Sequence, residues 1–169
     1  TETAVAWKVA LQRHNGPSAL ALSRQKLAHQ PRQAEQVDNI ACGGYVLREP
    51  GAAPNAIIMA SGSEVGMAVA AAEALEAKGH AVRVVSMPCI ERFRAQPAEY
   101  RESVLPASIT VRAAVEAAAP DSWRAFVPNE AGLVGLTGFG ASAPADAVYR
   151  EMGLTTEAVV AAIEAQSAG

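Results

Sequence analysis

AIIMASGSEVGMAVAAAEALEAKGHAVRVVS, residues 56–86, decides the fold. Ala56-Ile57-Ile58-Met59-Ala60 is apolar at every position, as a parallel strand covered on both faces must be. Val65, Ala68, Val69, Ala72 and Leu75 then recur at helical spacing through Lys78, and Gly79 is a natural stop. Ala81-Val82-Arg83-Val84-Val85-Ser86 follows as a second strand. Strand, helix, strand makes a βαβ unit, whose crossover is right-handed.

The pattern continues on either side. Downstream, a less regular helical stretch, Pro97 to Val104, precedes Pro106 and a strand over Ile109–Val115. A short strand is expected over Leu133–Leu136. Ala145–Met152 and Thr156–Ala165 read as helices, the second with Thr155 as N-cap. Upstream, Gly43–Arg48 is a short strand closed by turn residues Pro50–Asn55. The class is α/β: a doubly wound, mostly parallel sheet with helices on both faces.

The first part of the chain reads differently. Ala4, Trp7, Lys8 and Leu11 suggest a helix over residues 4–13, stopped at Asn15-Gly16-Pro17. Ser18–Ser23 alternates like a short strand leading to Arg24-Gln25, and the polar stretch His29–Asp38 reads as a linker. Residues 1–38 carry five Lys/Arg against three Asp/Glu, whereas the remainder carries nine against fourteen. Together with Thr at position 1, this suggests the tail of one domain (1–38) and a complete second domain (41–169), hence a fragment. The end, Ser167-Ala168-Gly169, reads as a frayed terminus.

With 169 residues and half of them hydrophobic, the chain can bury a core without staples. A net charge of −3 argues against a nucleic-acid binder. No apolar run is long enough to span a bilayer, and no signal peptide is visible. Two cysteines, Cys42 and Cys89, make neither a disulfide framework nor a metal site, which fits a reducing, cytoplasmic setting.

Candidate sites are few. Ser61-Gly62-Ser63-Glu64 opens a helix, where free N–H groups favour an anion. The S-x-x-E spacing of Ser61 and Glu64 is explained more simply by a capping box, and Glu64 would repel an anion. Gly140-Ala141-Ser142-Ala143-Pro144 opens another helix, with Ser142 as a cap and Pro144 in the first turn. Ser61, Gly62, Ser63, Gly140 and Ser142 thus make at most a weak anion site. Cys89 reads as a small buried hydrophobe, and His14, His29 and His80 lack metal-ligand spacing. Glu116 is a strand-end acid near Asp121 and Trp123. Arg24 could offer a fork to a phosphate, although its residue type alone suggests a surface ion pair.

ETAVAWKVALQRHNGPSALALSRQ, GGYVL, ASGSEV, RVVSMPC, AEYRESVLP, VEAAAPDSW and FGASAPA occur together in order. In that combination the chain resembles the C-terminal part of transketolases. The resemblance implies a parent enzyme that transfers a two-carbon ketol unit from a ketose phosphate to an aldose phosphate. It implies thiamine diphosphate, Mg2+ or Ca2+, sugar phosphates as substrates, and a homodimer. The cation–diphosphate motif and the catalytic Glu have no counterpart here, so no catalytic residue, cofactor-binding residue or metal ligand is expected in this chain. One family residue carries over: the arginine of SRQ, here Arg24, would bind the substrate phosphate, with Gln25 beside it. Residues 127–132, Val-Pro-Asn-Glu-Ala-Gly, depart from a stretch usually richer in Gly and aromatics. The alternatives are an independent α/β module binding an anionic metabolite or nucleotide, and an assembly domain whose work is dimer packing.

Overall fold

The apolar run at 56–60 becomes the central strand of the sheet. In the computed structural model, which describes residues 1–167, β2 (Ala56–Ala60) is buried at all five positions. It pairs in parallel with β3 (Val82–Ser86) on one side and β4 (Arg112–Val115) on the other. β1 (Tyr45–Arg48) and β5 (Leu133–Val134) form the edges, giving the order β1-β3-β2-β4-β5. Four strands are parallel, whereas β1 runs antiparallel to β3, with Tyr45 opposite Ser86 and a register shift between Val46 and Arg48.

Side chains alternate across this sheet and fill two cores. Ile58, Val84, Ala113 and Val115 meet α3 (Val65–Glu76) and α7 (Thr156–Ser167) on one face. Ala68, Ala71 and Ala72 of α3 are fully buried there, and such small side chains allow a close helix–sheet approach. Ile57, Met59, Val85 and Ala114 face the other way. Phe93 of α4 (Ile90–Arg94), Val104 of α5 (Ala98–Val104) and Trp123 cover them. Helices therefore lie on both faces, as the apolar strands require. Thr155 Oγ1 accepts from the Ala158 amide at 3.1 Å and caps α7 as expected.

Several expected elements change. The strand expected from Ile109 starts only at Arg112, because residues 105–109 turn around that side chain. Arg112 donates to the carbonyls of Leu105, Pro106, Ile109 and Phe126. The stretch read as a linker contains α2 (Ala34–Asn39). Its Gln36 accepts from the Gln33 amide at 2.8 Å and donates to the Val46 and Leu47 carbonyls at 2.9 and 2.7 Å. Polar side chains, rather than an apolar stripe, thus hold this helix on the edge strand. Ser18–Ser23 is not a strand; among the described residues it has no sheet partner, and an unpaired backbone forms no ladder. α6 (Ala145–Glu151) takes Pro144 as N-cap and leaves Ser142 exposed without a capping role. α1 (Glu2–Gln12) exists, but none of its residues is fully buried. Of the expected frayed end, Ala168 and Gly169 lie outside the described residues. No helix among those described is long and apolar enough to cross a membrane.

The turn into β1 depends on one glycine. Gly43 has φ +90°, and a Cβ there would stand 2.4 Å from the Cys89 carbonyl oxygen. Left-handed backbone at a non-glycine residue costs about 1–3 kcal/mol, before the overlap is relieved. Gly43→Ala is therefore expected to lower stability by at least that amount, read as a fall in the denaturation midpoint at unchanged m-value. A midpoint within error of the parent would refute the close-approach argument.

Candidate functional site

The polar residues gather at the carboxyl ends of the parallel strands, as they do in open α/β sheets. The order in which strands are added across the sheet reverses between β2 and β4, because β3 lies on one side of β2 and β4 on the other. Ser61 follows β2 and Glu116 follows β4, so the pair spans that reversal. Ser61 Oγ donates to Glu116 Oε2 at 3.0 Å, and Trp123 Nε1 donates to the same oxygen at 3.3 Å. Burial, with the neighbouring Glu64 carboxylate, raises the Glu116 pKa against the opposing pull of the Ser61 and Trp123 hydrogen bonds.

The capping box expected here does not form. Gly62 takes φ +51° and a 3-10 turn over Gly62–Glu64 separates Ser61 from the start of α3. The Ser61 hydroxyl makes no capping hydrogen bond. Glu64 points inward, only 2% exposed, and accepts from Tyr149 Oη at 2.5 Å. Tyr149 was not singled out from sequence; it brings α6 onto the turn, with Ser63 Oγ 3.4 Å from its hydroxyl. The acids are thus occupied by protein donors, a latch between three elements rather than an activated acid–base pair.

A second polar centre lies at the end of β3. Glu2 Oε1 accepts from Ser86 Oγ at 2.6 Å, Tyr45 Oη at 2.7 Å and Arg32 Nη2 at 3.1 Å. Arg32 Nε donates to Tyr45 Oη at 2.6 Å, and Arg32 Nη1 to the Gln30 carbonyl at 2.6 Å. Burial and the Glu2 charge hold the Tyr45 phenol above its ordinary pKa, so it remains a donor. Burial works against the Arg32 charge, but Tyr45 and Glu2 outweigh it. Sequence reading missed this centre, whose members come from four separate elements.

Between the two centres is a cavity of about 270 Å³, lined by Thr1, Glu2, His29, Arg32, Gly62 and Ser63, among others. Arg24 is exposed on the irregular stretch joining α1 to α2, and among the described residues it makes no hydrogen bond or ion pair. The surface ion pair that its residue type suggests is therefore not seen. Its neighbour Ser23 reaches the turn, with Oγ 3.7 Å from where a Cβ on Gly62 would stand. Arg24 and the Ser61–Ser63 turn are thereby brought to the same part of the molecule. Gly140 and Ser142 are exposed, and no described contact joins them to it. Cys89 is half-buried rather than a core hydrophobe, because the chain turns outward at Pro88; its Sγ lies 3.7 Å from Glu91 Oε2. No three His, Cys, Asp or Glu side chains among the described residues converge to hold a metal ion.

The family model for the transketolase-like C-terminal domain matches residues 43–155. Transketolase 1 of Vibrio vulnificus is 54% identical over 159 residues, covering 94% of this chain and 24% of that protein. A transketolase from Leishmania mexicana superposes with a TM-score of 0.86 at 43% identity, covering 95% of this chain and 23% of that one. A Pichia stipitis transketolase, solved in complex with sedoheptulose-7-phosphate, gives 0.81 at 34% identity, covering 94% and 22%. The α/β fold of this chain is thus shared with these enzymes over the matched region, and the family model identifies that region as a C-terminal domain. The chain belongs to the transketolase family, and spans about a quarter of the length of the curated relatives it matches.

The Glu116 latch has a consequence in pH. A carboxylic acid whose folded pKa is raised binds its proton more tightly in the native state than when unfolded. Stability from this group is therefore greatest below the unfolded carboxylate value and falls as pH rises through the folded one. Gln keeps an oxygen for Ser61 and Trp123 without the charge. Glu116→Gln is expected to raise Tm at pH 7, with the advantage shrinking as pH drops below the ordinary carboxylate range. A Tm difference independent of pH would contradict the assignment.

Proposed function

We propose that this chain is the C-terminal part of a thiamine-diphosphate-dependent transketolase that moves a two-carbon ketol unit from a ketose phosphate to an aldose phosphate. In this reading residues 1–38 belong to the preceding domain and residues 41–169 form the C-terminal domain, which packs in a cytoplasmic homodimer. The observation that carries the proposal is the 54% identity over 94% of the chain to transketolases.

Thiamine diphosphate and a divalent cation supply the carbon–carbon bond chemistry in the whole enzyme. The residues present here do not make a seat for them. No three potential metal ligands among those described converge, and Glu64 and Glu116 are engaged by Tyr149, Ser61 and Trp123. No step of that chemistry is assigned to this chain, which alone is expected to be inactive.

The chain's own contribution is Arg24. A guanidinium offers two parallel N–H donors to one phosphate, and such charge-assisted pairs are stronger than neutral hydrogen bonds. Its exposure leaves the fork available to an incoming sugar phosphate. The sedoheptulose-7-phosphate complex of the Pichia stipitis relative supports that substrate class. The alternative, an independent module binding an anionic metabolite or nucleotide, is less favoured. The Ser61 hydroxyl is already committed to the Glu116 carboxylate, and Glu64 within the same turn adds a second carboxylate.

In the full-length enzyme, Arg24→Ala is expected to raise KM for phosphorylated sugars roughly ten- to a hundredfold, the loss of a charged hydrogen bond. An unphosphorylated donor should be almost unaffected. Arg24→Lys should recover only part of the loss, since an ammonium keeps the charge without the fork. Steady-state kinetics on both donors decides it, and an equal change for both would overturn the phosphate-binding role.

A further inference from the structure

The geometry points to Glu2 as a positioning residue for the Arg24 segment: it fastens Arg32, at the C-terminal end of that segment, and the start of α1 to the sheet end formed by Tyr45 and Ser86. The inference rests on the reading of Arg24 as the residue that binds substrate phosphate.

Arg24 lies on an irregular stretch between α1 and α2, almost wholly exposed. Such a stretch has little packing of its own, so its position is set by what its ends are tied to. Its C-terminal end is tied to the start of the helix that precedes it, through one carboxylate. Glu2, at the start of α1, accepts from Arg32, which lies just before α2. The same oxygen accepts from Ser86 and Tyr45, which are 0% and 1% exposed and fixed in the sheet. Arg32 is itself 8% exposed at its side chain, and Gln30 adds a backbone acceptor.

From this clamp the chain runs back along the start of α3. Leu27–Gln30 and Gly62–Gly66 line one cavity with Thr1, Glu2 and Thr3. Gln30 Nε2 lies 3.9 Å from where a Cβ on Gly66 would stand, and Ser23 approaches Gly62. The segment thus runs beside the start of α3 from the clamp to Ser23, the residue before Arg24. Charge divides the same way: Arg32 is a buried cation neutralised by Glu2, whereas Arg24 faces solvent. Without the Glu2 carboxylate, Arg32 Nη2 and the hydroxyl protons of Tyr45 and Ser86 would lose the acceptor they share.

The test uses the full-length enzyme with Glu2→Gln, which removes the charge, and Ser86→Ala, which removes one donor and keeps the carboxylate should the first variant fold poorly. Arg24→Ala is measured alongside. Each clamp variant is expected to raise KM for a phosphorylated donor by about tenfold while kcat stays within about twofold, as for a displaced binding group. KM for an unphosphorylated donor should not move. Placed on an Arg24→Ala background, the clamp variants should add little, because both act through the same contact. Backbone hydrogen exchange over residues 18–28 should quicken in Glu2→Gln. If Arg24→Ala raises KM and the clamp variants do not, or if they lower kcat equally for both donors, the positioning role is overturned and the phosphate reading survives. If Arg24→Ala itself leaves KM unchanged, both fall.

Discussion

β2 is paired on both edges and covered on both faces, and that double enclosure governs the rest of the molecule. In a strand so placed a polar side chain is costly unless it finds a partner, and Ala56–Ala60 has none. Helices must cover each face, which α3 and α7 do on one side and α4 and α5 on the other. Both faces of the sheet are thereby given to apolar packing. Polar side chains meet instead at the strand ends.

At those ends the protein answers its own charges. Glu64 and Glu116 would repel each other and suffer from burial, yet Tyr149, Ser61 and Trp123 supply a donor to each. Glu2 and Arg32 neutralise one another beside two hydroxyls. Both centres join elements far apart in the chain, so they act as fasteners between segments. Arg24 differs from them: it is exposed and without a described partner, which is the state expected of a group that awaits an anion.

What the sequence made legible was local. The strands over 56–60 and 82–86 and helix α3 follow from apolar runs and helical spacing within one stretch, and Thr155 caps α7 because capping needs only near neighbours. Ser61 and Glu64 show where local reading stops. Their spacing suits a capping box, but each side chain is claimed from a distance, Ser61 by a residue 55 positions away and Glu64 by one 85 away. The Glu2 centre was hidden for the same reason, since its partners lie 30, 43 and 84 positions along the chain. α2 escaped because its stabilising contacts are polar. Arg24 was singled out for a phosphate only through resemblance; its residue type alone suggests an ion pair, and among the described residues it makes none.

The same logic bears on how the first thirty-odd residues relate to the rest. α1 contributes no fully buried residue, and Trp7 and Leu11 are 53% and 73% exposed, so hydrophobic burial against the sheet holds it only weakly. Its hold on the sheet comes mainly from Glu2, with Val5 packing beside the core. A hydrogen-bonded attachment has strict geometry but little area, so it fixes direction more than it adds stability. That is the kind of attachment a phosphate-binding segment requires. In the role proposed for Arg24, that side chain needs a defined place relative to the sheet and surroundings open enough for a sugar phosphate to enter.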